Sequence, residues 1–375
     1  MRKPIATRYY EIVNKEKYLK WQTEILKKIY DDFNMLDLFG KEYPVICFPA
    51  AHKKEGGIEN ITTSYDLLTD MEVFDTKKTL CRNFSEIVEP RIQTRNELEF
   101  MFKKAKINEQ GELEWFSTKV GTYEQNLYTT GILEYELYRY YRTTRGEVPN
   151  LSGEDILKQL PLRQEIHNFS NQFDIVTHGL NRNGAISIQL FYTFIDVKQN
   201  AYVVPVKKLS DTVANKQFRY QIVPEGGYRL HNDKIVDNEK LFINYNLKKV
   251  CMRQILENLY GHENIKADDK LVYNPRENEI VNYLMNRIDN KKAYFEMLGL
   301  TMDLVTLRPT LSFILRIDDE NFPYTELVNK EGEEKIEIIK IKDLPKSFFE
   351  LSVTNESAGM YDLLTKNKIF KNIEI

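Results

Sequence analysis

Two apolar, β-rich runs, ISIQLFYTFIDV (186–197) and AYVVPVKKL (201–209), are separated only by the tripeptide KQN. A connection that short can join only antiparallel neighbours, so the spacing predicts a β-hairpin. FRYQIVPEGGY (218–228) reads as a further strand that runs into a Gly-Gly turn. The period then changes. NLKKVCMRQILENLYG (246–261) places Leu247, Val250 and Leu256 at helical spacing and closes on Gly261. ENEIVNYLMNRIDNKKAYFEMLG (277–299) reads as a second helix, also ended by a glycine. TLSFILRI (310–317) and EKIEIIKIK (334–342) read as strands, and ESAGMYDLLTKNKIF (356–370) as a final helix. Strands interleaved with helices in this way predict an α/β class, with residues 166–375 forming a mixed sheet between helices.

The first 150 residues read differently. Residues 15–37 carry Trp21, Ile25, Ile29, Phe33 and Leu36 on one helical face. Between 42 and 116, YPVICFPA, TDMEVF and LEWFSTKV look like short strands, while NELEFMFKKAK holds a helix-like Leu98, Phe100, Met101 cluster. KKEGG (53–57) and NEQGE (108–112) read as loop tips, and residues 121–145 become a strong helix from Ile132. Pro149, Ser152, Gly153 and Pro161 mark a boundary, with Ser152 suited to start a short helix. The expected organisation is an N-terminal helix (1–39), an α+β extension (40–150) and a main domain (151–375). Apolar Leu151, Ile156, Leu157 and Leu160 predict that the two halves dock closely.

Composition removes several function classes. The net charge is −3, which argues against nucleic acid as a partner, although the first 30 residues hold eight Lys/Arg against three Glu. Cys47, Cys81 and Cys251 are widely spaced, so neither a disulfide framework nor a structural zinc site is expected. No apolar run approaches the ~18 residues of a membrane span, and the N-terminus lacks a signal-peptide core. The expectation is a soluble, cytoplasmic protein with no membrane partner. His167, His178 and His262 share no ligand spacing, and Ser170 and Ser187 lack a nucleophile elbow.

The constellation from 218 to 261 resembles the Nudix superfamily, in particular its long, divergent bacterial members from regulatory or conflict-system contexts. Pro224, Glu225, Gly226, Gly227 and Tyr228 resemble the turn before the Nudix helix. Arg253, Gln254, Ile255, Leu256, Glu257, Asn258, Leu259 and Gly261 resemble the signature helix, with one extra residue before the glycine. GLTMDLVTLRPTLSFILRI (299–317) and TYEQNLYTTGILEYEL (122–137) are similar to other segments of these proteins. The resemblance implies a Nudix-like fold, a nucleotide or nucleoside-diphosphate-type ligand, and Mg²⁺ or Mn²⁺ held by glutamates on one helix face. It points to Glu225, Gly226, Gly227, Arg253 and Glu257 as ligand-binding residues, with Glu257 as the metal ligand. Positions 254, 257 and 258 share a face at i, i+3 and i+4, and the family would carry Glu at all three. Here Gln254 and Asn258 replace two of them, so weak metal binding and reduced or absent hydrolysis are expected. The alternatives are an active metal-dependent hydrolase, with a late carboxylate from IDDEN (317–321), and a non-enzymatic scaffold. A homodimer is compatible with any of these.

Overall fold

The computed structural model describes residues 4–51, 62–67, 78–94, 97–168, 170–198, 200–209, 219–230, 246–262, 274–320, 322, 336–345 and 352–371. The expected strand at TDMEVF and the loop tip at KKEGG lie outside these residues, as do residues 231–245 of the insertion expected over 229–245 between the Gly-Gly turn and the following helix.

The main sheet is built around β7 (Ser187–Asp196) and β13 (Arg308–Ile317), which run parallel from Thr310↔Ser187 to Ile317↔Phe194. Nearly every side chain in both strands is buried, because both faces of the sheet are covered. That is why these strands read as unbroken apolar runs and not as alternating ones. β12 (Ala293–Asp303) lies antiparallel on β13, and β3 (Val45–Pro49) closes that edge. On the other side, β8 (Ala201–Lys208) forms the predicted hairpin with β7, pairing Asp196 with Ala201, and β14 (Ile336–Lys340) adds to β8. The sheet mixes parallel and antiparallel neighbours, as an α/β reading requires.

β8 accompanies β7 only from Phe194 to Asp196. Beyond that the chain passes through β9 (Tyr220–Ile222), paired to β8, and returns as β10 (Glu225–Gly227) to cover the start of β7. Tyr228 then carries it across to a second sheet. Its N–H donates to the Ile186 carbonyl and its own carbonyl accepts from the Phe100 N–H. β11 (Arg229–Leu230) therefore joins β5 (Leu98–Ile107), which pairs with β6 (Leu113–Thr122) and, beyond it, β4 (Thr62–Leu67). A separate ribbon pairs β1 (Leu36–Leu38) with β2 (Lys41–Tyr43).

The helices used below are α1 (Ile5–Val13), α2 (Glu16–Ile29), α3 (Lys78–Thr94), α4 (Ile132–Thr143), α5 (Leu247–Leu259), α6 (Glu279–Asp289) and α7 (Asn355–Lys366). Ile188, Leu190, Tyr192 and Phe194 face a large core that includes Leu247, Val250 and Leu256 of α5. Phe191 of the same strand faces a smaller core with Ala358, Met360 and Leu364 of α7. The alternation of side chains along β7 thus assigns α5 to one face and α7 to the other.

Three sequence expectations are corrected. The helix expected over 15–37 ends at Ile29, and Leu36 begins β1. The Leu98–Phe100–Met101 cluster is part of β5, where Phe100, Met101 and Phe102 are all buried against the two sides of that sheet. The helix expected to reach Gly299 stops at Asp289. Lys291, with φ 57°, turns the chain into β12. Gly299 is no helix end. It sits at a break in the β12 register with φ 152°, and a Cβ there would lie 2.3 Å from the Phe48 carbonyl oxygen of β3.

The expected division at residue 150 runs through both sheets. β3 precedes it and shares a sheet with β12, while β11 follows it and pairs with β5. The segment around 150 is fastened to α2. Lys28 Nζ donates to the carbonyls of Pro149 (3.0 Å) and Leu151 (3.2 Å), and Trp21 Nε1 to that of Glu147 (3.0 Å). Ser152 caps the short helix Gly153–Leu157 by accepting from the Asp155 N–H.

Candidate functional site

The Gly-Gly strand and α5 meet directly. Gly226 pairs with Ile188, so its missing side chain would point to the α5 face of the sheet. A Cβ there would stand 2.3 Å from Gln254 Oε1 and 2.5 Å from Nε2. The absence of a side chain at 226 lets α5 lie against the strand, with Gln254 filling the space. Gln254 is 2% exposed; its Nε2 sits 3.4 Å from the Gly227 carbonyl oxygen. Asn258 Nδ2 donates both to Gln254 Oε1 (3.0 Å) and to the Gln254 carbonyl (3.1 Å). The side chains at 254 and 258 are thus committed to each other and to the β10 backbone.

Arg253 lies one residue back, at the seam where the chain leaves the main sheet for the second one. It is 3% exposed. Burial pulls its guanidinium down to about 10, opposed first by the field of Glu257 and lowered further by Arg229. Its Nε and Nη2 have no hydrogen-bond partner among the described residues. Glu257 follows Arg253 by one helical turn. Arg229 in β11 pairs across the ladder with Glu99 and lies 3.6 Å from the Glu97 carboxylate. The seam therefore gathers two arginines, Arg229 and Arg253, with the carboxylates Glu97 and Glu257 acting on them.

Of the five residues the resemblance selects, the fold brings Gly226, Gly227, Arg253 and Glu257 to this seam and sends Glu225 elsewhere. Glu225 pairs with Gln189, and cross-strand partners share a face. Gln189 Nε2 donates to Ser357 Oγ of α7, so that face is the one opposite α5. Glu225 instead accepts from Gln221 Nε2 at 2.8 Å. Strand alternation is the reason: residues 225 and 226 cannot point to the same side.

Among the described residues, this helix face offers a divalent cation of the Mg²⁺ or Mn²⁺ type a single carboxylate. A hard cation bound between phosphates calls for several carboxylate oxygens. At the helix face only Glu257 is a carboxylate, and Gln254 and Asn258 are bonded to one another. Among the described residues, no group of three or more His, Cys, Asp and Glu is placed to hold a metal ion. The late carboxylates of IDDEN are far away. Ser312 is level with Gln189 and Glu225, and Asp318 lies six positions further on, on the order of 20 Å along a strand. Asp318 is held by Arg316 at 2.7 Å and Asp319 by Arg287 at 2.5 Å.

Sequence reasoning missed Arg229 and Glu97. Arg229 stands two residues past the Gly-Gly pair, where a reader of the turn could have looked. Nothing in spacing links Glu97 to it, because the link is the β5–β11 pairing across more than a hundred residues.

No family model matches the chain, and no curated protein matches it. Among the described residues no helix is long and apolar enough to cross a membrane.

Proposed function

We propose that this chain binds a nucleotide or nucleoside-diphosphate-type ligand at the seam between β10–β11 and α5, and hydrolyses it slowly or not at all. The reading rests on one observation above the others. A nearly fully buried arginine sits beside a glycine-walled strand with two guanidinium nitrogens, Nε and Nη2, lacking an acceptor among the described residues. Leaving such donors unmet is costly, and phosphate oxygens are the acceptors a guanidinium fork suits best. The pairing of Gln254 with Asn258 supports the non-hydrolytic half, since a metal clamp that would stabilise charge on a departing phosphate needs carboxylates there. The resemblance to the Nudix superfamily supplies the ligand class. A protein of this kind would act as a sensor or accessory component of a bacterial regulatory or defence system and not as its catalyst.

The test is calorimetric titration of ADP and ADP-ribose into wild type and Arg253→Met, in chelator. The expected result is binding by wild type and a loss of roughly ten- to hundredfold in affinity in the variant, the scale of a charged hydrogen bond. Equal affinity in both proteins would remove the seam as the site.

A further inference from the structure

We propose that a second cleft, between α2, the β1–β2 ribbon and the start of α7, is a separate small-molecule site for a monocarboxylate that also carries an ammonium group, as a free amino acid does, with Arg219 receiving the carboxylate. The cleft encloses about 660 Å³ and is lined by Leu19, Gln22 and Thr23 of α2, by Tyr43, by Arg219 and by Asn355. That volume lies in the range of small-ligand pockets.

Arg219 makes the cleft more than a surface dent. The residue is 8% exposed, yet it lines the cleft, and its Nε has no hydrogen-bond partner among the described residues. A guanidinium with an unmet N–H suits a carboxylate oxygen as its acceptor. Gln22 is also buried, at 3% exposure, and Asn355 stands at the first turn of α7. Polar groups from four separate segments thus converge on one space.

The charges around Arg219 select among anions. Burial lowers its proton affinity, while Glu134, Glu356 and Asp303 raise it, in that order. Asp303 is itself pushed upward, by burial and then by Glu356, although it accepts from Asn355 Nδ2 at 2.9 Å and from Thr306 Oγ1 at 2.6 Å. The lining of the cleft itself carries both signs: Lys20 and Lys41 join Arg219, against Glu16, Glu24 and Glu42. A doubly charged phosphate has no positive end to offer these carboxylates and is repelled by them. A zwitterion places its single negative charge on Arg219 and its positive charge toward the carboxylates, so both ends are favoured. The cleft is separate from the seam at Arg253, since no residue lining it belongs to β10, β11 or α5.

The experiment measures the thermal midpoint of the full chain with individual amino acids, with acetate and with inorganic phosphate. It uses wild type, Arg219→Gln and Leu19→Trp, the last of which adds bulk to the lining and leaves residue 219 an arginine. A native-state ligand raises the midpoint in proportion to its affinity. At least one amino acid should raise it more than acetate does, phosphate should not, and both variants should weaken the response roughly tenfold or more in concentration. No response to any amino acid, an equal response to phosphate, or a response that survives in Leu19→Trp overturns the proposal. If Arg219→Gln does not fold, Leu19→Trp alone decides the matter. The result is independent of whether nucleotides bind at the seam.

Discussion

At the scale of single residues, the closest fit in the molecule's candidate site is between Gly226 and Gln254. Adding a methyl at 226 forces the end of the Gln254 side chain out of its place and breaks its bonds to Gly227 and Asn258. Because the obstacle is a flexible side chain and not backbone, Gly226→Ala should cost about 1–3 kcal/mol. Adding Gln254→Ala should return most of that loss, and urea denaturation of the two single variants and the double variant measures the coupling. Additive losses would mean that the two residues do not touch. The turn and the helix were legible in the sequence, each from its own local chemistry. Their direct contact was not, since the residues between them carry no signal of it. His167 provides a second residue-scale test. Burial, then Arg163 and Arg182, lowers its imidazole from 6.5 to about 3. Below about pH 6.5 the unfolded chain binds a proton that the folded chain refuses, so stability falls as the pH drops and levels off only near the folded value. Between pH 7 and 5 this should remove about 2 kcal/mol. His167→Gln should flatten that part of the stability–pH curve, and an unchanged slope would show that the histidine is not held neutral.

At the scale of elements, the hairpin β7–β8 and helix α5 were read correctly because each satisfies one period and one local stop signal. β5 and β12 were misread for physical reasons that differ. In β5 a run of adjacent apolar residues meets apolar neighbours on both sides, so the alternation that marks a half-buried strand is lost. In β12 the chain continues without a proline from α6, and the break is a left-handed Lys291 that sequence patterns do not mark. The glycine that looked like a helix end is where the β3 backbone leaves no room for a side chain on β12. The packing of α2 depends on Trp21, which is 3% exposed, sits among the rings of Tyr18, Tyr140 and Tyr141, and donates to Glu147. Trp21→Ala should cost about 3–5 kcal/mol, read as a lowered denaturation midpoint. A cost under 1 kcal/mol would indicate that α2 does not pack as described.

At the scale of the whole molecule, the α/β class followed from the order of strands and helices. The division at residue 150 was placed by a local cluster of Pro, Ser and Gly. Such a cluster reports where the chain bends and says nothing of which strands later pair across it. Both sheets take strands from both sides of that point, so the two halves should unfold in one transition. The central claim is that the seam at Arg253 holds a nucleotide-type ligand without metal-dependent turnover. The most direct measurement is nucleotide or phosphate release from nucleoside diphosphate-linked substrates with Mg²⁺ and with Mn²⁺, run on wild type and Glu257→Ala beside binding measured in chelator. The account predicts binding that persists in chelator and no appreciable release by either protein. Robust metal-dependent release by wild type that disappears in Glu257→Ala would contradict it and make the chain a hydrolase.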